Sequence, residues 1–342
     1  MMLLGRLRDA LTKRDLTISI ATRNRPDLLS RVVNHLGENG KLPCLVDVVI
    51  DSSKDYLTQK TCEEFVERFG EEFKWDWNPG RGLAAARNHG ARMCRSKFIR
   101  FHDDDDLISR SDVEALTVAH LKQPKDIILT HTRTDPKFDR PFVEFLTWKP
   151  GYVFNYRIVP KSELTFDFFW GGRTSLPIQV FERHKFDEDF VFGAEDIEFG
   201  YRITQDGWTI KYLKEISALQ IRDFSVEQIC VRAYNQGFSQ GIILEKYGEG
   251  ALQQWATEGL NAPGIEDLRS LINQLTALKR EGARLDAAGN DIEEVFGNQA
   301  KALAYWVWEM MFKTSKQIGL EAKYLGYDRE EFIGSQLKDA LF

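Results

Sequence analysis

Cysteine is scarce and unpatterned. The four residues Cys44, Cys62, Cys94 and Cys230 form no CxxC pair and show no metal-ligand spacing, so neither a zinc site nor a disulfide framework is indicated, and a reducing cytoplasm is the expected setting. Positive charge is not in excess either: 46 Lys and Arg stand against 52 Asp and Glu, a net charge of -6. That balance lacks the basic footprint of a nucleic-acid partner. No apolar run reaches membrane-spanning length, since the longest, ALAYWVWEMMF at 302–312, is about half of what a bilayer requires and contains Glu309. The opening MMLLGRLRDALTKRD has no true apolar core and no small-residue cleavage site, and reads as a short amphipathic helix over 1–14 rather than a signal peptide. Internal repeats and low-complexity segments are missing as well.

What is present is an ordinary globular composition, 43% hydrophobic and 29% charged over 342 residues, with 23 Phe and 8 Trp to fill the interior. The length suits two units. From Leu16 apolar runs alternate with helical patterns. LTISIA is followed by a helix opened by Pro26, then LVDVVI at 45–50 and a helix around 57–69. FKWDW, the helix GLAAARNHGARMC, the strand KFIRF, a helix from Asp112 and the strand DIILTH complete the series. Such alternation predicts an α/β fold, a mostly parallel sheet with helices on both faces. Ligands of these sheets bind beyond the carboxyl ends of the strands. Thr22, Arg23, Asn24 and Arg25, then Asp51, then Asn78 to Arg81, then Asp103 to Asp106 all fall at such ends.

The densest signal is FIRFHDDDD at 98–106, an apolar strand running into four aspartates. Carboxylates so close repel one another and call for a counter-cation, and an oxygen-rich strand end suits Mg²⁺ or Mn²⁺ carrying a substrate phosphate. A solvated acidic turn is the plainer alternative. His102 beside the acids reads as a packing or hydrogen-bonding residue, and Asp106 as a cap for the following turn. Asp51 closes a buried strand, where its carboxylate can accept hydrogen bonds from a base imide or a ribose hydroxyl, or else form an Asx turn or a helix cap. Gly82 permits close backbone approach. Arg87 and Asn88 lie on a helix whose N-terminus faces the ligand edge, a place that favours anions, although Arg87 could instead pair with a surface acid. In AEDIEFGYRI, Glu195 and Asp196 occupy a first helical turn, where acids also complement the helix dipole, and Glu198 with Arg202 forms an exposed i,i+4 pair. Residues 138–170 hold many aromatics and little helical periodicity. They read as irregular strands and loops, with Trp148 or Trp170 either in the core or stacked on a sugar face.

Four segments in order, TISIATRNRPDLL, VVIDSSKD, GRGLAAARNHG with FIRFHDDDD, and GGRTSLPIQVF with FDEDFVFGAEDIEFGYRITQDGW, resemble the nucleotide-sugar glycosyltransferases of family 2, with the GT-A fold. The resemblance covers about residues 15–222 and implies inverting transfer of a sugar from a nucleoside-diphosphate donor, UDP-linked, to a hydroxyl acceptor, in glycan or polysaccharide synthesis. It further implies donor contacts from Thr22 to Arg25, Asp51, Gly82, Arg87, Asn88, Asp103 and Asp104. By the same likeness Asp103 and Asp105 bracket a DxD motif for Mn²⁺ or Mg²⁺, Asp105 as direct ligand. Asp196 is implied as general base, with Glu195 the lesser candidate, and Trp170, Gly171 and Gly172 at the acceptor. Two departures stand out. Ser52 and Ser53 replace the usual second Asp and Gly, and ISALQIRDF supplies Gln220 and Asp223 but no His to complete a metal shell.

The chain therefore divides into a GT-A catalytic domain over 1–222 and a helical appendage over 223–342, with helices near 225–247, 264–282, 298–319 and 329–341. The aromatic cluster Tyr305, Trp306, Trp308, Met310, Met311 and Phe312 is expected to bury against the catalytic domain or a second subunit, which would make a homo-oligomer. A peripheral contact at the inner membrane face, suited to a lipid-linked acceptor, is the other reading. Two other function classes fit parts of the pattern. A sugar-phosphate nucleotidyltransferase would use the same aspartates, but would bring a Gly-rich basic loop that TRNRPD is not. A non-catalytic carbohydrate-binding scaffold would not need Asp103, Asp105 and Asp196 together.

Overall fold

The computed structural model describes residues 14–338 apart from 39, 52–53 and 149–163; the N-terminal helix expected over 1–13 and the Ser52–Ser53 departure lie outside the described residues. Two compact units emerge. The first comprises 1–135, 159–191 and 195–222, and the second 136–158, 192–194 and 223–342. Residues 136–148 thus group with the helical unit.

In the first unit, β1 (Leu16–Thr22), β2 (Leu45–Ile50), β3 (Phe73–Trp77) and β4 (Phe98–Asp103) run parallel in the order β3-β2-β1-β4. β1 and β2 are buried along almost their whole length, as parallel strands covered on both faces must be. Between them lie α1 (Pro26–Leu36), α2 (Tyr56–Phe69) and α3 (Gly82–Met93). In α1, Pro26 sits in the first turn and Leu29, Val32, Val33 and Leu36 form the buried stripe, the spacing that puts an apolar face on the sheet. α2 is capped by the Asp55 carboxylate, which accepts from Thr58 N at 3.1 Å. Leu29, Val32, Phe65, Phe69 and Phe73 meet the strand residues Ile18, Val46 and Val48 in one core cluster.

The sheet then turns mixed. β5 (Asp106–Ile108), α4 (Arg110–Lys122), β6 (Ile127–Thr134), β7 (Thr174–Pro177), α6 (Glu195–Gln205) and β8 (Ile210–Gln220) extend it to eight strands, in the order β3-β2-β1-β4-β7-β6-β8-β5. The intervening helix α5 (Pro141–Trp148) belongs to the second unit. β7 is antiparallel to both neighbours, and β5 is antiparallel to β8. The result is an α/β architecture with a mostly parallel sheet. Asp106 is not a cap: it lies on β5 opposite Gln220 and is buried, while Ser109 caps α4.

The second unit is helical: α7 (Val226–Lys246), α8 (Ala251–Thr257), α9 (Leu268–Ala287), α10 (Ile292–Phe296), α11 (Ala300–Tyr324) and α12 (Arg329–Ser335) join α5. The stretch read as irregular contains α5 because Phe142, Phe145 and Leu146 are spaced for one helical face, and all three are buried. The side chain of Trp148 lies outside the described residues. In the aromatic cluster of α11, Trp308 is covered within this unit, packing on Phe142 at 5.1 Å and on Phe145 at 5.7 Å between ring centroids. Trp306 and Leu303 stay exposed. α7 and α11 cross through reciprocal glycines. A methyl group on Gly237 would stand 1.8 Å from the Lys316 carbonyl oxygen, and one on Gly319 2.1 Å from that of Tyr234.

Gly319→Ala should therefore force the two long helices apart and lower stability by roughly 1–3 kcal/mol or more. Gly334→Ala, in α12 with open space around it, should be neutral or stabilising by about 0.5–1 kcal/mol through helix propensity. Denaturant midpoints of the two variants check the opposite signs.

Candidate active site

The carboxyl ends of β1, β2, β3 and β4 line one edge, and backbone bonds carry the ladder beyond them: Asp51 N donates to Thr22 O at 2.8 Å and Asn78 N to Ile50 O at 2.9 Å. Ala21 stands opposite Asp103. The edge thus gathers Thr22, Asp51, Asn78 and the aspartate run from four strands.

Asp51 is held by two donors on one oxygen, Asn78 Nδ2 at 2.6 Å and Gly82 N at 3.2 Å. It therefore sits over the first amide of α3, an arrangement the helix dipole favours. Asn24 has φ 53, in the left-handed region that asparagine tolerates better than most residues. Its amide donates to Asp55 Oδ2 at 2.5 Å, so one carboxylate both caps α2 and ties down the loop after β1. Arg23 on that loop is exposed. Asp55 went unread as part of the site, although an Asp three residues before Thr58 is a recognisable cap signal.

Asp104 is buried and fully engaged, accepting from Thr22 Oγ1 at 2.7 Å and from Arg25 Nη1 at 2.9 Å; burial nonetheless raises its affinity for a proton. Asp105 is also buried. Desolvation, reinforced by the charges of Asp106, Asp103 and Asp104, pushes its carboxyl up to about 8. Arg25 Nη1 and Arg222 Nη1 approach its Oδ2 at 4.0 and 3.8 Å. Asp106 is pushed up to about 6, chiefly by burial and against the Arg173 guanidinium. It accepts from Thr132 Oγ1 at 3.4 Å through Oδ2, while its Oδ1 has no hydrogen-bond partner. His102 is internal, donating from Nε2 to Asp106 O at 2.7 Å and accepting from Arg100 Nε at 3.3 Å; burial and the Arg100 charge lower it to about 3.

Among the described residues no three His, Cys, Asp or Glu side chains form a cluster able to hold a metal ion unaided. The acid edge still fits Mg²⁺ or Mn²⁺, because these ions are commonly bound through one or two carboxylates with substrate phosphates and water completing the shell. A carboxylate crowded by three like charges also gains from a cation. Gln220 is buried opposite Asp106, and Asp223 is paired with Arg140 at 2.6 Å. Arg222 was overlooked between them for want of any local motif.

Arg87 and Asn88 are both engaged by protein partners. Arg87 is buried, and its Nη1 bonds Glu195 Oε1 at 2.7 Å. Asn88 clamps a loop, its Nδ2 donating to Phe186 O and Glu188 Oε1, both at 2.9 Å, and its Oδ1 accepting from Phe186 N at 2.9 Å. Both positions lie on the side of α3 turned toward residues 186–195, which no local pattern discloses. Gly82 has φ 85, and a methyl group there would meet the Val191 carbonyl oxygen at 2.3 Å. The glycine admits that backbone.

Asp196 projects from the first turn of α6, which the chain enters through two left-handed residues, Gly193 (φ 89) and Ala194 (φ 61). The second costs about 1–2 kcal/mol. Asp196 Oδ2 accepts from Gly171 N at 3.1 Å. The turn Gly171–Arg173 is packed from beneath at both glycines: a methyl on Gly171 would fall 2.3 Å from Arg87 Cζ, and one on Gly172 2.2 Å from Asp103 Oδ2. One turn therefore touches both the Asp103 carboxylate and, through its amide, Asp196. Trp170 leads into that turn, half-buried with its ring 5.5 Å from Phe168. Glu198 pairs with Arg202 at 2.5 Å as its spacing suggests, but is buried rather than exposed.

Residues 17–181 match Glycosyl transferase family 2. A validoxylamine A glucosyltransferase of Streptomyces hygroscopicus subsp. limoneus is 28% identical over 219 residues, 56% of this chain and 48% of the relative. Its counterpart in subsp. jinggangensis (strain 5008) is 27% identical over 218 residues, 56% of this chain and 52% of the relative. The chain spans about half the length of these curated relatives. Among solved structures, a mannosyltransferase from Pyrobaculum calidifontis in complex with GDP-Man and Mn²⁺ superposes with a TM-score of 0.56 at 19% identity, covering 95% of this chain and 94% of that one. At that identity the likeness establishes the fold.

Replacing Arg87 by Met strands a buried carboxylate without its guanidinium and should lower stability by about 3–5 kcal/mol. Adding Glu195→Leu should return part of the loss. Chemical unfolding of wild type, single and double variants measures both.

Proposed function

We propose, from the match of residues 17–181 to Glycosyl transferase family 2, that the chain is an inverting, metal-dependent glycosyltransferase that moves a sugar from a nucleoside-diphosphate donor, UDP-linked, to an acceptor hydroxyl. The observation that carries the reading is the Gly171–Gly172 turn, which ties the acid edge to Asp196 through one rigid piece of backbone. An in-line displacement needs the leaving group and the attacking hydroxyl held on opposite sides of the anomeric carbon, and such a turn fixes the spacing of the groups that serve each.

In this scheme Asp51, anchored by Asn78 and the α3 amide, takes the base or ribose of the donor. Asp103 and Asp105 would hold Mg²⁺ or Mn²⁺ together with the donor diphosphate; when bound, the ion offsets the charge gathering on the departing diphosphate. Arg25, already facing the acids, supplies further positive charge at the same edge. Asp196 takes the proton of the acceptor hydroxyl, its Oδ2 oriented by the Gly171 amide. The freed oxygen forms a bond to the anomeric carbon as the bond to the diphosphate breaks, with inversion. Glu195, locked to Arg87, orients rather than reacts. Trp170 offers a half-buried ring as a floor for the acceptor sugar.

The glucosyl and mannosyl chemistry named for the similar proteins supports a hexose donor, and the acceptor is a glycan, a lipid-linked carrier or another polyol. No helix of the described residues is long and apolar enough to cross a membrane.

Asp196→Asn should cut turnover by about 10²–10⁴ while donor affinity, read by calorimetry with Mn²⁺, stays within twofold or so of wild type. Near-normal turnover in that variant would remove Asp196 as the base. A panel of sugar nucleotides screened for Mn²⁺-dependent hydrolysis identifies the donor.

A further inference from the structure

The buried Asp55 carboxylate divides its two oxygens between two elements of the fold. Oδ1 accepts from Thr58 N at 3.1 Å and caps α2. Oδ2 accepts from the Asn24 amide at 2.5 Å, 31 positions back along the chain, in the loop that runs from β1 to α1. A helix cap needs only the first of these bonds, so the second asks for a separate reason.

Asn24 stands at φ 53, a conformation that few non-glycine residues adopt, and a hydrogen bond from its amide to an ionised carboxylate is of the strong, charge-assisted kind. On either side of Asn24 the chain carries two partners of a single acid. Thr22 Oγ1 reaches Asp104 Oδ2 at 2.7 Å, and Arg25 Nη1 reaches Asp104 Oδ1 at 2.9 Å. Arg25 is also where α1 begins, its carbonyl accepting from Leu29 N at 3.1 Å. The turn at Asn24 therefore sets the direction in which the Arg25 side chain leaves the loop. Asp55, which follows Asp51 on the segment after β2, holds that turn in place.

Resting on the reading of this edge as the donor diphosphate site, we propose that Asp55 is a positioning residue for the donor: through the Asn24 amide it fixes the loop that presents the Arg25 guanidinium to the diphosphate. The strand end that carries Asp51 and the loop that carries Arg25 are thereby locked to each other. The charge of Asp55 has the opposite effect, since a carboxylate repels a diphosphate and its removal would by charge alone strengthen binding. Positioning and charge thus predict opposite signs.

Asp55→Ser and Asp55→Asn both keep a good cap for α2, because serine and asparagine cap about as well as aspartate. Neither offers two acceptor oxygens, so the Asn24 amide loses its partner. Both variants should melt close to wild type, yet bind UDP or GDP at least several-fold more weakly in calorimetry with Mn²⁺ on the full chain. Hydrogen exchange at the Asn24 amide should quicken while that at Thr58 stays slow. In an Arg25→Met background Asp55→Ser should weaken the nucleotide little further, the route through Arg25 being gone. Nucleotide affinity at or above wild type in both Asp55 variants overturns the assignment, and so does an undiminished effect of Asp55→Ser in the Arg25→Met background. Should the variants melt low, that background still decides, since a purely structural loss weakens the nucleotide equally with and without Arg25. If wild type takes up neither nucleotide with Mn²⁺, the reading of the edge as a donor site fails, and this assignment with it.

Discussion

The buried ion pair between Arg87 and Glu195 is the constraint on which the site geometry rests. Both side chains are removed from solvent, so neither charge tolerates separation: an unpaired ion in that position costs several kcal/mol. The pair joins α3, from the first half of the sheet-bearing unit, to the first turn of α6. Gly171 lies directly on the guanidinium, and the amide of the same glycine holds the Asp196 carboxylate. The orientation of a side chain able to take a proton is thus inherited from a salt bridge that touches no substrate in the proposed scheme.

The acid edge follows the opposite logic. Four successive aspartates there are not equally satisfied. Asp104 has a hydroxyl and a guanidinium as partners, Asp106 is sequestered on β5, and Asp105 is left with two guanidiniums beyond hydrogen-bond range. Neighbouring like charges and burial combine to raise its proton affinity. A group under that strain gains more from an arriving cation than a solvated surface carboxylate does. The fold thus engages Asp104 and Asp106, on either side of Asp105, more fully than Asp105 itself.

Much of the fold was legible because its signals are local. Strand and helix periodicities, Pro26 at the start of α1 and the apolar runs of β1 and β2 each occupy a few consecutive residues. The gathering of Thr22, Asp51, Asn78 and Asp103 at one edge follows from the parallel alternation alone. What could not be read depends on partners distant in sequence. Arg87 and Asn88 carry the right chemistry for a ligand, yet Glu195 and Phe186, about a hundred positions away, claim them. Gly82 admits a close backbone approach, as its residue type suggests, but that the backbone is that of Val191, and that Arg87 and Asp103 lie under Gly171 and Gly172, has no local signal. Asp106 belongs to β5 because Gln220 pairs with it across the sheet, a contact without trace in the DDDD run itself. α5 was hidden by aromatic density, since Phe142, Phe145 and Leu146 satisfy a helical face over barely two turns.

The double glycine at 171–172 also bears on how such a chain can change over generations. With one residue seated on Arg87 and the next on Asp103, neither position accepts a side chain unless the group beneath shrinks in the same step. Single substitutions at the turn are then dead ends, and so are most at the residues under it until the turn has altered. Segments some seventy to ninety residues apart in the chain must drift together, leaving in related sequences a paired signature of covariation rather than two independent conserved spots.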